Sequence, residues 1–296
     1  MIDADRHTEA DRHTEADRHT EADRHTEADR HTEAGRHTPA GRHTPAGRHT
    51  AAGRHTEANR DLDWDGCYNV RDLGGLVTAD GRRTRTGAIV RADDLARLTG
   101  AGWAALEAHG VRTIVDLRND EELGSEAAPR PAWLTTVRVP LDDVEDEEFW
   151  ERCWANDLDG SPLYYGPFLD RKPERCAAAI AAIARAEPGG VVIHCGGGRD
   201  RTGLISLLVL ALVGVTPEEI VSDYELSNVR LRRFWAEHGE PDPAAEIAGI
   251  LTRRNTSSRA LLLEILASLE VDRYLTEAGL GEDELAAVRV RLMGSE

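Results

Sequence analysis

Apolar residues fall along this chain in short unbroken runs separated by stretches of helical period. Residues 111–118 (VRTIVDLR), 134–143 (LTTVRVPLDD) and 191–195 (VVIHC) read as strands. The first and third read as buried strands, as in a sheet covered on both faces. Helices fit around them. Thr99 is placed to cap a helix carrying Trp103, Ala105 and Leu106, stopped by Gly110. An acidic helix follows at 146–154 (DEEFWERCW), and an Ala-rich one at 173–187 ends in Pro188-Gly189-Gly190. An apolar helix is launched from Thr202. Thr216-Pro217-Glu218-Glu219 reads as a capping box with Pro at the first helical position. Asp80-Gly81 signals a hairpin turn between two short strand-like runs. From residue 229 onward the pattern is helical with Gly and Pro breaks. This alternation predicts an α/β fold: a mainly parallel central sheet flanked by helices, with a helical C-terminal portion.

Residues 4–57 depart from that pattern. They are nine hexapeptides, ADRHTE drifting to AGRHTP and AGRHTA. They hold no large apolar side chain to offset the entropy of ordering, and Gly and Pro in the later copies break any helix. Residues 1–58 are therefore expected to be a disordered low-complexity segment, with one globular domain over 59–296. The histidines recur every six residues, not at the i, i+4 spacing that places two on one helix face, so no built metal site is expected.

Charge and cysteine content narrow the function classes. The formal net charge is −18. That argues against a nucleic-acid binder or a polybasic membrane module, and it means a site for an anionic substrate must create its positive potential locally. Lys172 is the sole lysine, so Arg carries nearly all the positive charge. The four cysteines, Cys67, Cys153, Cys176 and Cys195, form no CxxC pair, so neither a zinc ribbon nor a redox dithiol is expected. The longest apolar stretch, residues 204–213, is too short to span a bilayer, and no signal peptide is visible. A cytoplasmic protein without stable membrane insertion is expected, with secretion by a signal-free route left open.

The stretch with a chemistry of its own is VVIHCGGGRDRTG, residues 191–203. In parallel sheets the active edge lies at the strands' carboxyl ends. Cys195 sits at such an end, directly before a helix N-terminus. The amides from Gly196 through Gly197, Gly198 and Arg199 to Arg201 can curl into an anion nest. Arg201 can offer a planar fork to two phosphate oxygens. This positive setting favours a thiolate at Cys195, with Thr202 able to donate to the sulfur as it leaves. A thiolate beside an oxyanion cradle describes a nucleophile for phosphoryl transfer.

Cys-x5-Arg-Thr after an apolar strand resembles the protein-tyrosine phosphatase signature. Asn69-Val70-Arg71-Asp72-Leu73-Gly74-Gly75 resembles the N-x-R-D-x-G-G opening of the bacterial tyrosine/serine phosphatases, and Asp223-Tyr224-Glu225-Leu226-Ser227-Asn228 their D-Y-x-x-S-N helix. The tail YLTEAGLGEDELAAVRVRL is similar to their C-terminal segment. The resemblance covers about residues 61–293. It implies a tyrosine-phosphatase-like fold and a cysteine-dependent phosphomonoesterase working without metal or cofactor. Phosphotyrosine protein is the leading substrate, with phosphoinositide or phosphoserine/threonine the second choice. It also implies a catalytic trio of Cys195, Arg201 and Asp200, the last as general acid. Arg199 stands where many members carry Lys, a residue tied there to phosphoinositide activity.

Several residues stay open between two roles. Asp200 is either the acid or a loop-bracing partner of Arg199 and Arg201. Asp116, near the end of the 111–118 strand, is either a substrate-site acid or an arginine anchor. Asp142 and Asp143 faintly resemble a mobile acid loop, with a solvated turn the simpler reading. Arg71 and Asp72 either brace the phosphate loop or form a pair in the Gly-Gly turn. Trp150, Trp154, Tyr164 and Tyr165 are read as core before pocket, and Cys67, Cys153 and Cys176 as packing residues. A sulfurtransferase or arsenate reductase, and a phosphate-binding pseudophosphatase, are the rival functions.

Overall fold

The computed structural model describes residues 60–124 and 129–294; the hexapeptide repeat, with its expected disorder, lies outside them. In chain order the elements are β1 (Arg71–Asp72), β2 (Ile89–Ala92), α1 (Gly100–Ala108), β3 (Val111–Asp116), β4 (Thr135–Arg138), α2 (Glu147–Ala155), α3 (Tyr165–Arg171), α4 (Pro173–Ala184), β5 (Gly190–His194), α5 (Asp200–Leu212), α6 (Pro217–His238), α7 (Ala244–Arg253), α8 (Ser258–Ser268), α9 (Val271–Glu277) and α10 (Glu282–Met293). The strands form one five-stranded sheet in the order β1-β2-β5-β3-β4. Only the β1–β2 pairing is antiparallel.

Alternate side chains of the central strands feed two cores. Ile89, Val115, Val191 and Ile193 point into the larger one, under the helices that follow β4. Val90, Ile114 and Val192 point to the smaller one, which α1 closes with Trp103 and Leu106. This two-sided burial explains the unbroken apolar runs. Thr99 caps α1 as expected, accepting from Gly102 N. The Asp80-Gly81 turn forms too, its arms joined by the isolated bridge Val77↔Arg83 and by backbone bonds such as Gly75 N to Thr84 O (2.7 Å) and Thr78 N to Arg82 O (3.0 Å), without becoming strands of the sheet. The strand further on, β2, pairs with β5 across a crossover instead.

Two helix starts differ from expectation. The apolar helix α5 begins at Asp200, two residues before Thr202, because the loop closes tightly enough for Asp200 and Arg201 to enter the first turn. α6 begins at Pro217 as expected, yet the Thr216 side chain makes no capping bond to the first turn. α6 then continues through Asn228 to His238, where Gly239 terminates it.

α5 is apolar on every side and is the buried axis of the larger core. Its Gly203 packs against side chains of α3 and α6: a Cβ there would lie 2.8 Å from Tyr165 Oη and 3.0 Å from Tyr224 Cδ2. Gly203→Ala should therefore overpack this contact at a cost of about 1–3 kcal/mol. Calorimetry should show a melting temperature lower by about 2–4 °C for each kcal/mol, and an unchanged melting temperature would contradict this packing.

Candidate active site

β5 is the central strand, and Cys195 follows it, buried at its carboxyl end. The loop it opens is held from outside by its carbonyls. Gly196 O accepts from Asp94 N (3.0 Å), Gly197 O from Asn69 Nδ2 (3.0 Å) and Gly198 O from Arg91 Nη2 (2.7 Å). In a trans peptide the N–H points opposite to the C=O. Holding those three carbonyls out therefore turns the amides of Gly197, Gly198 and Arg199 inward. None of these amides donates to a backbone acceptor among the described residues. Gly198 has φ +64°, and a Cβ on it would lie 2.4 Å from Ala92 O, so both the turn and the close approach to β2 require glycine.

The brace behind the loop is a buried ion cluster. Asp223, on α6, receives Arg71 Nε (3.0 Å), Arg91 Nη1 (2.7 Å) and Arg60 Nη1 (2.8 Å). One helical turn on, Ser227 Oγ accepts from Arg71 Nη2 (3.0 Å). Arg71 also holds Asn69 Oδ1 (2.6 Å), which orients the Asn69 amide toward Gly197. Burial alone would push the Asp223 carboxyl up, but Arg71, Arg91 and Arg60 hold it well below the usual carboxylate range. Arg71 thus stands under the loop, whereas Asp72 does not. Asp72 accepts from Gly74 N (2.7 Å), Gly87 N (2.7 Å) and His109 Nε2 (2.9 Å), and so holds the Gly-Gly turn.

Arg201 lies at the mouth. Its Nη1 and Nη2 grip the Glu122 carboxylate, with Nη2 to Oε2 at 2.7 Å, and Nη1 lies 3.2 Å from Asp142 Oδ2. Burial works against its charge, but Glu122, Cys195 and Asp142 outweigh it and hold the guanidinium firmly cationic. Asp142 also accepts from Asn119 Nδ2 (2.9 Å). Its carboxyl is shifted upward, chiefly by burial, against the pull of Arg201 and Asn119. Its neighbour Asp143 turns away to Lys172 and Arg175.

The other predicted site residues are placed as follows. Asp200 accepts from Arg199 Nε at 3.3 Å through both carboxylate oxygens and from Tyr224 Oη at 3.4 Å. Arg199 also donates to Gly160 O (2.9 Å), so its guanidinium lies along the wall of the loop. Thr202 is buried, and its hydroxyl has no hydrogen-bond partner among the described residues. Asp116 sits behind the mouth as an arginine anchor. It is bonded to Arg118 (2.7 Å), and His194 Nε2 lies 3.4 Å away. Burial opposes its charge, but His194 and Arg118 hold it below the usual range.

A cleft of about 290 Å³ opens above Arg201, lined by Asn119, Asp142, Trp150, Trp154, Tyr164 and Asp200, among others. Trp154 is 59% exposed at its rim, so this aromatic belongs to the pocket and not to the core. Tyr165 is fully buried, donating to Asp200 O (2.6 Å). The thiols of Cys67, Cys153 and Cys176 are all pushed up by burial, in keeping with packing roles. Sequence reasoning missed Arg91, Glu122 and Asn119. Arg91 reaches the site from within β2, and Asn119 and Glu122 from the segment that follows β3, and no local motif marks them.

Fold and site together define a cysteine-based protein-tyrosine phosphatase, and the chain belongs to the tyrosine phosphatase family, whose profile matches residues 62–294. A Cupriavidus necator protein provisionally named a tyrosine-protein phosphatase is 34% identical over 182 residues, 59% of this chain and 65% of that protein's length. A tyrosine-protein phosphatase of Nostoc commune is 31% identical, over 69% of this chain and 74% of its own. The triple specificity protein phosphatase PtpB of Mycobacterium tuberculosis is 25% identical, over 77% of this chain and 98% of its own.

Removing one partner from a buried ion cluster leaves charges with no water to solvate them. Asp223→Ala strands Arg71 and Arg91 and should cost about 3–5 kcal/mol. Denaturant unfolding should show that loss together with weaker phosphate binding. A fully stable variant with wild-type phosphate affinity would mean that the cluster does not shape the loop.

Proposed function

We propose that the chain hydrolyses phosphotyrosine in proteins through a cysteinyl-phosphate intermediate. The observation that carries this is the inward set of amides at Gly197, Gly198 and Arg199, facing the space between Cys195 and Arg201. The dianionic phosphate sits in that nest with Arg201 beside it. The Cys195 thiolate attacks phosphorus, and the P–O ester bond breaks with its electron pair leaving on the phenolic oxygen. Asp142 gives that oxygen its proton. Water then attacks phosphorus, its proton passes to Asp142, and the P–S bond breaks to return the thiolate and release inorganic phosphate. Catalytic function belongs to residues 59–296, and the substrates are phosphoproteins of the cytoplasm. Among the described residues no helix is long and apolar enough to cross a membrane.

The acid role goes to Asp142 over Asp200 on two grounds. Asp142 lies beside Arg201 in the cleft where the leaving group must pass, and burial favours its protonated form. The Asp200 carboxylate is instead held by Arg199, which makes it the loop brace. Arg199 is turned to Asp200 and Gly160 and does not line the cleft over Arg201; that supports a phosphopeptide over a phosphoinositide carrying a second phosphate there. The aromatic cleft walls suit an aryl ester. A relative named a triple specificity phosphatase keeps substrates beyond phosphotyrosine as a second reading.

Cys195→Ser should abolish turnover while still binding phosphate, and activity within about tenfold of wild type would end the covalent mechanism. Asp142→Asn should slow phosphotyrosine hydrolysis by a factor on the order of 10²–10⁴, and p-nitrophenyl phosphate much less, since nitrophenolate leaves unaided. Wild-type kcat on phosphotyrosine should fall as pH rises through the upshifted Asp142 titration, because the acid must be protonated. That alkaline limb should vanish in Asp142→Asn. If Asp200→Asn shows the leaving-group dependence instead, the acid is Asp200.

A further inference from the structure

The turn after β4 carries two successive aspartates whose side chains diverge. Asp143 has φ +52°, in the left-handed region. That kink sends Asp142 toward Arg201 and Asn119, and Asp143 toward Lys172 and Arg175. Lys172 is 1% exposed at the junction of α3 and α4. Its Nζ lies 2.8 Å from Asp143 Oδ2 and 2.8 Å from Asp146 Oδ2, and 5.3 Å from the centre of the Phe149 ring. Asp146 caps α2 by accepting from Phe149 N. α2 in turn carries Trp150, whose indole N–H donates to Asp142 O at 3.0 Å. One buried ammonium therefore joins the acid turn, the α2 N-terminus and the α3–α4 junction.

Residue type supports a specific role. Of the 36 basic residues of the chain, this is the one that is not arginine. A compact ammonium with three freely directed donors can bond two separate carboxylates and lie over a ring, where a planar guanidinium fork fits one carboxylate best. Stability alone is a weak reason for a buried ion cluster, since apolar residues of similar size often serve as well. Without the ammonium, Asp143 and Asp146 lose the cation they share and keep only separate, more exposed partners, Arg175 and Arg171, which do not tie the two carboxylates together.

We propose that Lys172 is the positioning residue of the acid turn: by tying Asp143 and Asp146 to the α3–α4 junction it holds Asp142 over Arg201 before substrate arrives. This rests on the reading of Asp142 as the general acid. The test uses the full chain with Lys172→Met, Asp143→Asn and Asp142→Asn, measuring kcat on phenyl phosphate and on p-nitrophenyl phosphate. Asn tolerates the left-handed region, so Asp143→Asn removes the ion pair and keeps the kink. It decides the matter if Lys172→Met does not fold. Both positioning variants should lose roughly tenfold or more on phenyl phosphate and less than about threefold on p-nitrophenyl phosphate, a partial loss of the acid contribution. Equal losses on the two substrates, or a lowered melting temperature with unchanged kinetics, would overturn the proposal while Asp142→Asn still shows the leaving-group dependence. If Asp142→Asn lacks that dependence, the acid reading fails and the positioning role falls with it.

Discussion

The shape of the phosphate loop depends on the carboxylate of Asp223. It is shared by Arg71, Arg91 and Arg60, and two of those arginines are connected to the loop, Arg91 through Gly198 O and Arg71 through Asn69. Three cations around one buried anion leave donors to spare: one from Arg91 holds Gly198 O outward directly, and one from Arg71 orients the Asn69 amide that holds Gly197 O. Outward carbonyls mean inward amides, so a cluster that touches no substrate sets the substrate's cradle. The N-x-R-D-x-G-G and D-Y-x-x-S-N segments are far apart in the chain (Arg71 to Asp223 is 152 residues), yet they are the two halves of this single brace.

The acidity of the chain is handled at the mouth by pairing. Arg201 is gripped end-on by Glu122 and approached by Asp142, while its Nε makes no hydrogen bond to a described residue. The guanidinium is thereby oriented before any phosphate arrives, and little side-chain freedom is left to lose on binding. The same neighbours set the proton inventory. Glu122 lies below the usual range, because the bond from Arg201 outweighs the upward push of burial, whereas in Asp142 burial wins. Two carboxyls around one arginine are thus pushed in opposite directions, one toward the anion and the other toward its protonated form.

Much was legible in the sequence because it was local. The unit of apolar strand, cysteine, three glycines, Arg-x-Arg-Thr and helix is one contiguous supersecondary element, and its apolar run, glycines and helix start all act over a few residues. The two-sided sheet was legible for the same reason, since unbroken apolar runs can only be buried on both faces. Helix starts were read less well. The cap at Thr99 formed, but α5 took in Asp200 and Arg201, and Thr216 gave no capping bond.

The sequence by itself therefore determined the nucleophile candidate, the anion nest and the α/β class, all consequences of short-range pattern and residue type. Tertiary structure decided which carboxylates meet Arg201. Asp116, Glu122, Asp142 and Asp200 are equivalent as letters, and each lies at or just beyond a strand end of the same sheet. Only the packing of those ends shows Asp116 buried against Arg118, Asp200 held by Arg199, Glu122 clamped on Arg201, and Asp142 left over the cleft. The physical reason is that a carboxylate's role follows from its desolvation and its nearest cation, and both are properties of neighbours brought from distant parts of the chain.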